Sequence, residues 1–191
     1  MEIKPNIKFL NEMTNVLYDK RWLKTAKNFP VYYVWRGIKK DGDLRYDLTR
    51  INPKMLGQEF PKTQGHDHAL TTPELITITK GKAIFLYQKC RNKKVIDVYC
   101  VLAKKGETVI APGEYAHFTI NPGKEKLEFT NWINKKNLNI YDPVAEMGGA
   151  CYFYTKEGWI KNKNYTKIPK LRFKKPLKVL PKNLDFLYGK N

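Results

Sequence analysis

The histidines are the residues of this chain whose type and spacing best suit chemistry, and there are three of them. His66 and His68 stand two residues apart, so on an extended strand both imidazoles project to one face and can meet one cation. Glu74 precedes an apolar run, and His117 opens another short β-rich run after a Pro-Gly turn. Three imidazoles and a carboxylate can hold a borderline divalent ion and leave positions for water or a substrate. The pattern predicts one divalent metal ion, and iron, manganese, zinc and nickel all fit.

The elements that must position these residues are strands, because short β-rich runs follow one another from Pro30 onward. Turn signals such as Asp41-Gly42 and Asn121-Pro122-Gly123 separate the runs. The predicted strands cover residues 31–36, 44–51, 75–79, 83–88, 95–102, 108–111, 117–120 and 127–133. Short strands with tight turns at this spacing predict a β-sandwich or barrel. Before them, residues 11–28 place apolar side chains at roughly helical spacing and predict one or two short helices.

The C-terminal part of the chain has a different character. After Asn134 the strand pattern is lost, and Gly148-Gly149 then leads into an aromatic run at 151–154 that we expect to be a last strand packed on the barrel. Three prolines beyond Trp159 exclude a helix or a central strand, so residues from about 156 to 191 should form an extended arm over the body. The length of 191 residues fits a single domain over 1–191, with a barrel core at about 30–155.

Lysine supplies most of an unusually large positive charge. There are 36 basic and 18 acidic residues, a net charge of +18, and six of the basic residues are arginines. Ten basic residues and one acidic residue lie between Lys156 and Lys182. Such a surplus can keep the surface solvated, attract a small phosphorylated substrate or serve a polyanion. The predominance of lysine argues against nucleic acid as the partner, because base and phosphate recognition favours arginine.

Composition also restricts the class of protein. An apolar fraction of 42% with 13% aromatic residues is too high for a disordered chain. No apolar run approaches the roughly 18 residues that a membrane span needs, and residues 1–10 do not resemble an export signal. We therefore expect a cytoplasmic protein with no membrane partner. Cys90, Cys100 and Cys151 lie far apart, which favours buried free thiols over disulfides.

The two histidine contexts resemble the two motifs of the cupins. The first motif is matched by Gly65-His66-Asp67-His68, Glu74 and Gly81. The second is matched by Gly106, Pro112-Gly113, His117 and Asn121. The surrounding sequence is similar to the cupin-type glucose-6-phosphate isomerases of archaea over roughly residues 8–133. The segments that carry this likeness are 10–13, 29–33, Leu48-Thr49, Gly57-Gln58-Glu59-Phe60, 62–68 and Pro73-Glu74-Leu75.

This resemblance implies an all-β fold, the double-stranded β-helix or jelly-roll barrel of the cupins, and a homodimer. It implies that glucose 6-phosphate and fructose 6-phosphate are interconverted, as in glycolysis and gluconeogenesis. The implied metal ligands are His66, His68, Glu74 and His117, and the implied substrate contacts are Thr49, Thr63 and the Gly65 backbone at the phosphate and Tyr33 in the sugar pocket. Glu74 is also the catalytic candidate, as a carboxylate that moves a proton if its metal bond is loose enough. An enediol path and a hydride shift both remain open.

Two departures from the isomerase pattern concern the sugar pocket. Ile76 stands where the family usually has a tyrosine, and Met147-Gly148-Gly149-Ala150 replaces a His-Asp-Tyr-Gly stretch. They leave two alternatives: an isomerase or epimerase of another sugar phosphate, and a non-catalytic cupin that binds a phosphosugar. A replacement hydroxyl could come from Tyr141, Tyr152 or Tyr154. Glu59 either bonds to a ligand histidine or faces solvent from a strand.

Overall fold

The computed structural model describes residues 3–189, so the ends of the predicted domain, residues 1, 2, 190 and 191, lie outside the described residues. The strands are β1 (Asn6–Phe9), β2 (Pro30–Asp41), β3 (Leu44–Ile51), β4 (Asp67–His68), β5 (Glu74–Lys80), β6 (Lys82–Arg91), β7 (Lys94–Lys104), β8 (Thr108–Ala111), β9 (Ala116–Ile120), β10 (Leu127–Asn134), β11 (Asn139–Ile140), β12 (Tyr152–Thr155), β13 (Gly158–Lys161) and β14 (Arg172–Lys174). The helical segments are the single turns α1 (Lys20–Leu23) and α2 (Asp142–Glu146) and the 3-10 turns Leu10–Glu12, Thr14–Val16 and Asp185–Tyr188.

Two sheets form the body. One has six strands in the order β1-β2-β3-β10-β5-β8, and the other has four in the order β14-β7-β6-β9. β5, β8 and β10 belong to the six-stranded sheet, whereas β6, β7 and β9 belong to the four-stranded sheet. The chain therefore crosses repeatedly from one sheet to the other and winds as a helix of strands. This winding confirms the predicted all-β jelly-roll barrel. In the described part of the chain, no helix is long and apolar enough to cross a membrane.

The interior of the barrel holds both apolar and polar side chains. The apolar part of the interior includes Phe85 and Tyr87, which are fully buried. On β3, Asp47 and Thr49 also face inward and are buried, although both are polar. Because successive residues of a strand point to opposite faces, this inward set is fixed once β3 takes its register in the sheet. The polar part of the interior is therefore suited to a polar ligand.

The predicted strands are confirmed, and most are longer than expected. The bounds of β3 and β8 are as predicted, whereas β2 runs five residues further, to Asp41. The predicted helical region contains only 3-10 turns and α1. Buried side chains of Met13, Val16 and Leu17 anchor it to the core, so packing and not helical regularity orders this segment.

The C-terminal part is more structured than an extended arm. β12 is the expected strand after the two glycines, but it pairs with β13 as a separate hairpin, and the Phe60 N–H donates to the Tyr154 carbonyl at 3.0 Å. β14 then adds to the barrel as an edge strand parallel to β7, which the prolines permit at an edge. A final 3-10 turn buries Leu187. All three cysteines are free, but Cys90 is exposed, which corrects the expectation of three buried thiols.

Candidate functional site

The structure brings the four predicted ligands together at the open end of the barrel. His66 lies just before β4 and His68 ends it, Glu74 begins β5, and His117 lies on β9. The His117 N–H donates to the His66 carbonyl at 3.1 Å, which locks the two segments side by side. One ligand atom of each residue lies within 4.8 Å of those of the other three. These four side chains are called the His3Glu cluster below.

Neighbouring polar groups orient the cluster. The His68 Nδ1–H donates to the Thr72 carbonyl at 3.3 Å, which orients the ring with Nε2 2.8 Å from Glu74 Oε1. The Asn137 side chain holds Thr72 in place by donating to its hydroxyl at 3.1 Å. On the other side, Asn131 Nδ2 donates to Glu74 Oε2 at 2.9 Å. One carboxylate oxygen thus faces the imidazoles and the other is fixed by an amide.

The cluster fits a cation better than it fits a set of structural histidines. His66 Nε2 and His117 Nδ1 are buried without a hydrogen-bond partner among the described residues, and His68 Nε2 faces the Glu74 carboxylate. Buried polar atoms are nearly always satisfied, so orphaned imidazole nitrogens beside a carboxylate indicate a group that they coordinate. Histidine nitrogens and one carboxylate suit iron, manganese, zinc or nickel.

The protonation states of three of the four side chains are those that a metal requires. Burial, followed by nearby positive charges, lowers the pKa of His66 to about 3. Burial also lowers the pKa of His117 well below its usual value, so both rings are neutral at pH 7. Burial opposes charge on His68 and Glu74 as well, but their mutual hydrogen bond outweighs it, raising the pKa of His68 and lowering that of Glu74. Neutral His66 and His117 and an ionised Glu74 are the forms that bind metal, whereas a protonated His68 must lose its proton first.

A cleft opens directly onto the cluster. It offers about 600 Å³ not occupied by protein atoms, including space open to solvent. Thr49, Thr63 and Gly65, the expected phosphate contacts, all line it, and so does Ile76 at the departure from the isomerase pattern. Its charged lining residues outside the cluster, which the sequence did not single out, are Arg36, Arg45 and Asp47.

Tyr33 is not in this cleft, contrary to expectation. Its ring lies against Trp35, with centroids 6.0 Å apart, whereas Tyr32 and Val34 line the cleft. The physical reason is the alternation of side chains along β2, which sends every second residue to the opposite face. Tyr32 and Tyr33 are adjacent, so an error of one residue in the expected position is enough to select the tyrosine on the wrong face of β2.

Of the three tyrosines considered as a replacement hydroxyl, the structure brings only Tyr141 to the cleft. Its ring centroid lies 5.6 Å from that of His66, and its hydroxyl accepts a hydrogen bond from Asn139 Nδ2 at 3.1 Å. The Tyr152 hydroxyl donates to a main-chain carbonyl of the C-terminal segment at 2.8 Å. Tyr154 stacks on an aromatic ring outside the cleft at 4.9 Å.

Glu59 has neither of the roles considered for it. It is buried, and its Oε1 atom lies 2.5 Å from Lys62 Nζ, also buried. Its Oε2 atom accepts from the Tyr18 N–H at 2.9 Å, while Lys62 donates to the Val16 carbonyl at 3.0 Å. The pair ties the N-terminal segment to the strand region that leads into the cluster.

Asn131, Asn137 and Thr72 are functional candidates that sequence reasoning missed. Asn131 offered a signal, because it occupies an inward position in a strand whose other inward residues are apolar. Asn137 and Thr72 offered none, since they lie in polar loops and their contact joins residues 65 positions apart.

The family model described as "Glucose-6-phosphate isomerase (GPI)" matches residues 8–170. The glucose-6-phosphate isomerase of Pyrococcus furiosus is 29% identical over 164 residues, 83% of this chain and 85% of that protein. That of Thermococcus onnurineus is 30% identical over 164 residues, 83% of this chain and 84% of that protein.

Solved structures with a similar arrangement of strands include a recombinant oxalate oxidase in complex with glycolate, with a TM-score of 0.49 and 16% identity over 60% of this chain and 56% of that one. A cupin-2 domain from Rhodospirillum rubrum gives a TM-score of 0.43 and 14% identity over 56% of this chain and 62% of that one.

Proposed function

The chain belongs to the glucose-6-phosphate isomerase family, and we propose that it interconverts glucose 6-phosphate and fructose 6-phosphate with a divalent metal ion in the His3Glu cluster. The observation that carries the proposal is the cluster itself, which combines orphaned imidazole nitrogens and an oriented carboxylate at the base of a cleft. By the same family membership we propose a cytoplasmic homodimer that acts in glycolysis and gluconeogenesis.

His66, His68, Glu74 and His117 would hold the metal, which when bound supplies Lewis-acid polarisation of the oxygens on the reacting sugar carbons. The protein side chains do the rest. Glu74 is the group that would move a proton between C1 and C2. Asn131 keeps the carboxylate in place by its bond to the other oxygen. Proton transfer by a positioned carboxylate contributes about two to four orders of magnitude.

Thr49, Thr63 and the Gly65 backbone would bind the substrate phosphate. The Thr63 Oγ1 atom accepts a hydrogen bond from the Thr119 N–H at 3.0 Å, which fixes the hydroxyl and leaves its own proton free to donate. Tyr141 would contribute a hydroxyl near the sugar in place of the tyrosine that Ile76 replaces.

The apolar Ile76 in the cleft favours one second candidate, an isomerase or epimerase of another sugar phosphate, since it removes a polar contact that the family places beside the sugar. The same metal and the same phosphate contacts would serve that reaction.

The test is a coupled assay of fructose 6-phosphate conversion to glucose 6-phosphate. Purified protein is loaded in parallel with manganese, iron, zinc or nickel, and each sample is assayed again after chelation. The His117→Ala and Glu74→Gln variants should lose at least about a hundredfold in kcat. Glu128→Gln is the matched control, because Glu128 pairs with Arg50 away from the cleft. It should retain activity within about twofold.

Turnover that survives both chelation and Glu74→Gln would overturn the proposed metal site and base. If the protein binds metal tightly but does not convert fructose 6-phosphate, the assay moves to other aldose and ketose phosphates, and turnover there would establish the second candidate.

A further inference from the structure

The cleft is almost free of the basic residues that dominate the chain. The protein has 36 lysine and arginine residues, yet among the described residues that line the cleft the cationic side chains are Arg36 and Arg45. Lysine accounts for most of the surplus, and no lysine lines the cleft within residues 3–189. The selective use of arginine here indicates a ligand for which a planar fork of donors is useful.

A buried carboxylate holds the two arginines in place. Asp47 is 2% exposed, and its Oδ1 atom accepts from the Gly37 N–H at 2.7 Å. Its Oδ2 atom accepts from Arg45 Nε at 2.9 Å and lies 3.7 Å from Arg36 Nη1. Asp47 thus holds Arg45 by a hydrogen bond to one edge of its guanidinium and lies at ion-pair distance from Arg36.

The other donors of both arginines have no protein partner among the described residues, and both residues line the cleft. Within residues 3–189, no protein acceptor takes a hydrogen bond from the terminal guanidinium nitrogens of Arg36 or Arg45. Two positive charges against one negative charge leave this group with a net charge of +1. Unpaired donors in a fork, carrying net positive charge inside a cleft, match a phosphate or carboxylate oxygen pair.

The position of the group agrees with the proposed phosphate contacts. Arg45, Asp47 and Thr49 face the same side of β3, so neighbouring members lie about 7 Å apart along the strand. The guanidinium of Arg45 is turned toward Asp47, and therefore toward Thr49. Thr49, Thr63 and Gly65 can offer hydrogen bonds but no formal charge, whereas a phosphate monoester near pH 7 carries close to two negative charges.

We propose that Arg36 and Arg45, held in place by Asp47, supply the charge that recognises the phosphate of the substrate, while the threonines and Gly65 supply its neutral hydrogen bonds. The inference rests on the proposed function only in taking a sugar phosphate as the ligand. It requires binding and does not require turnover.

The test is isothermal titration of metal-loaded protein with glucose 6-phosphate, with inorganic phosphate and with uncharged glucose. Arg45→Gln and Arg36→Gln should each weaken glucose 6-phosphate binding by about 10–100-fold, the value of a charge-assisted hydrogen bond. Glucose binding should change less than twofold. Arg50→Gln is the matched control on the same strand, because Arg50 faces outward and pairs with Glu128 at 2.7 Å.

Two results would overturn the inference: unchanged glucose 6-phosphate affinity in both variants, or an equal loss for glucose and glucose 6-phosphate. Arg36→Gln guards against misfolding, because the Arg36 side chain is 39% exposed and its removal leaves Asp47 with the Arg45 bond. The outcomes separate from those of the proposed function. Wild-type protein that binds glucose 6-phosphate through the arginines without converting it refutes the function alone, whereas conversion that is indifferent to both variants refutes this inference alone.

Discussion

The Gly65→Ala substitution tests whether Gly65 is needed for ligand binding or for the stability of the fold. Gly65 lines the cleft, where a missing side chain would let a phosphate approach the backbone. The structure supplies a second reason for glycine. Its φ is +81°, and a Cβ atom added there would lie 2.0 Å from Cε1 of Phe118, a fully buried ring.

The cost of Gly65→Ala follows from these two features. A left-handed backbone costs an L-residue about 1–2 kcal/mol. The new methyl would stand far inside the roughly 3.5–4.0 Å separation at which two carbon atoms attract, and overpacking of this kind costs about 1–3 kcal/mol. We therefore expect the free energy of unfolding to fall by about 2–5 kcal/mol, before any effect on binding.

Urea unfolding of Gly65→Ala and Gly106→Ala separates the two contributions. Gly106 has a similar φ of +87°, but an added Cβ would meet nothing within 4 Å. Gly106→Ala should therefore show the backbone cost alone. The added mutation Phe118→Leu should recover part of the extra loss in Gly65→Ala. If Gly65→Ala is as stable as the wild type and only loses affinity for glucose 6-phosphate, the packing argument is refuted and the glycine serves the ligand.

Three further perturbations test other parts of the molecule. Lys62→Met leaves the buried Glu59 carboxylate without the partner that lies 2.5 Å away, so urea unfolding should show a free energy of unfolding lower by about 3–5 kcal/mol. A decrease of less than about 1 kcal/mol would contradict a stabilising role for the pair. Tyr87→Phe removes a fully buried hydroxyl with no hydrogen-bond partner among the described residues; stability should stay level or rise by about 1 kcal/mol, and a clear loss in the same assay would reveal a partner such as ordered water. Burial opposes the charge on His68 less than Glu74 favours it, so the pKa of His68 is raised. Because this proton must leave before a metal binds, metal affinity should fall about tenfold per pH unit below that pKa. Competition with a chelator between pH 8 and pH 5 measures the affinity, and a flat profile would exclude His68 as a ligand.

The strands and the His3Glu cluster could be predicted from sequence because local signals determine them. Alternation of apolar residues and Gly-containing turns depends on neighbours in the chain, and it located β3 and β8 to the residue. The spacing of His66 and His68 also has a local meaning, since strand geometry alone puts both rings on one face. His117 could be assigned to the same site only because the two histidine contexts resemble the two cupin motifs.

What could not be predicted depends on register and on contacts between distant segments. Tyr32 and Tyr33 are both aromatic, so composition does not show which of them faces inward, and an irregularity between Trp35 and Lys39 interrupts the alternation of β2. The choice of face is made by pairing with β3. Likewise, the bond from Asn131 to Glu74 joins residues 57 positions apart and exists only because β10 pairs with β5.

The formal charges of the cleft suggest a final, measurable coupling. Arg36 and Arg45 are balanced by Asp47 and Glu74, so these charged lining residues sum to zero, and a phosphate dianion entering without a metal meets no net compensation. A divalent ion would leave two positive charges, equal and opposite to the dianion, and such compensation matters most in a cleft of low dielectric. Chelation should therefore weaken glucose 6-phosphate binding by a larger factor than it weakens glucose binding, because coordination of sugar oxygens is lost for both and charge balance is lost only for the phosphate. Titration of both ligands into metal-loaded and chelated protein decides the point, and equal factors would show that the metal acts on the sugar alone.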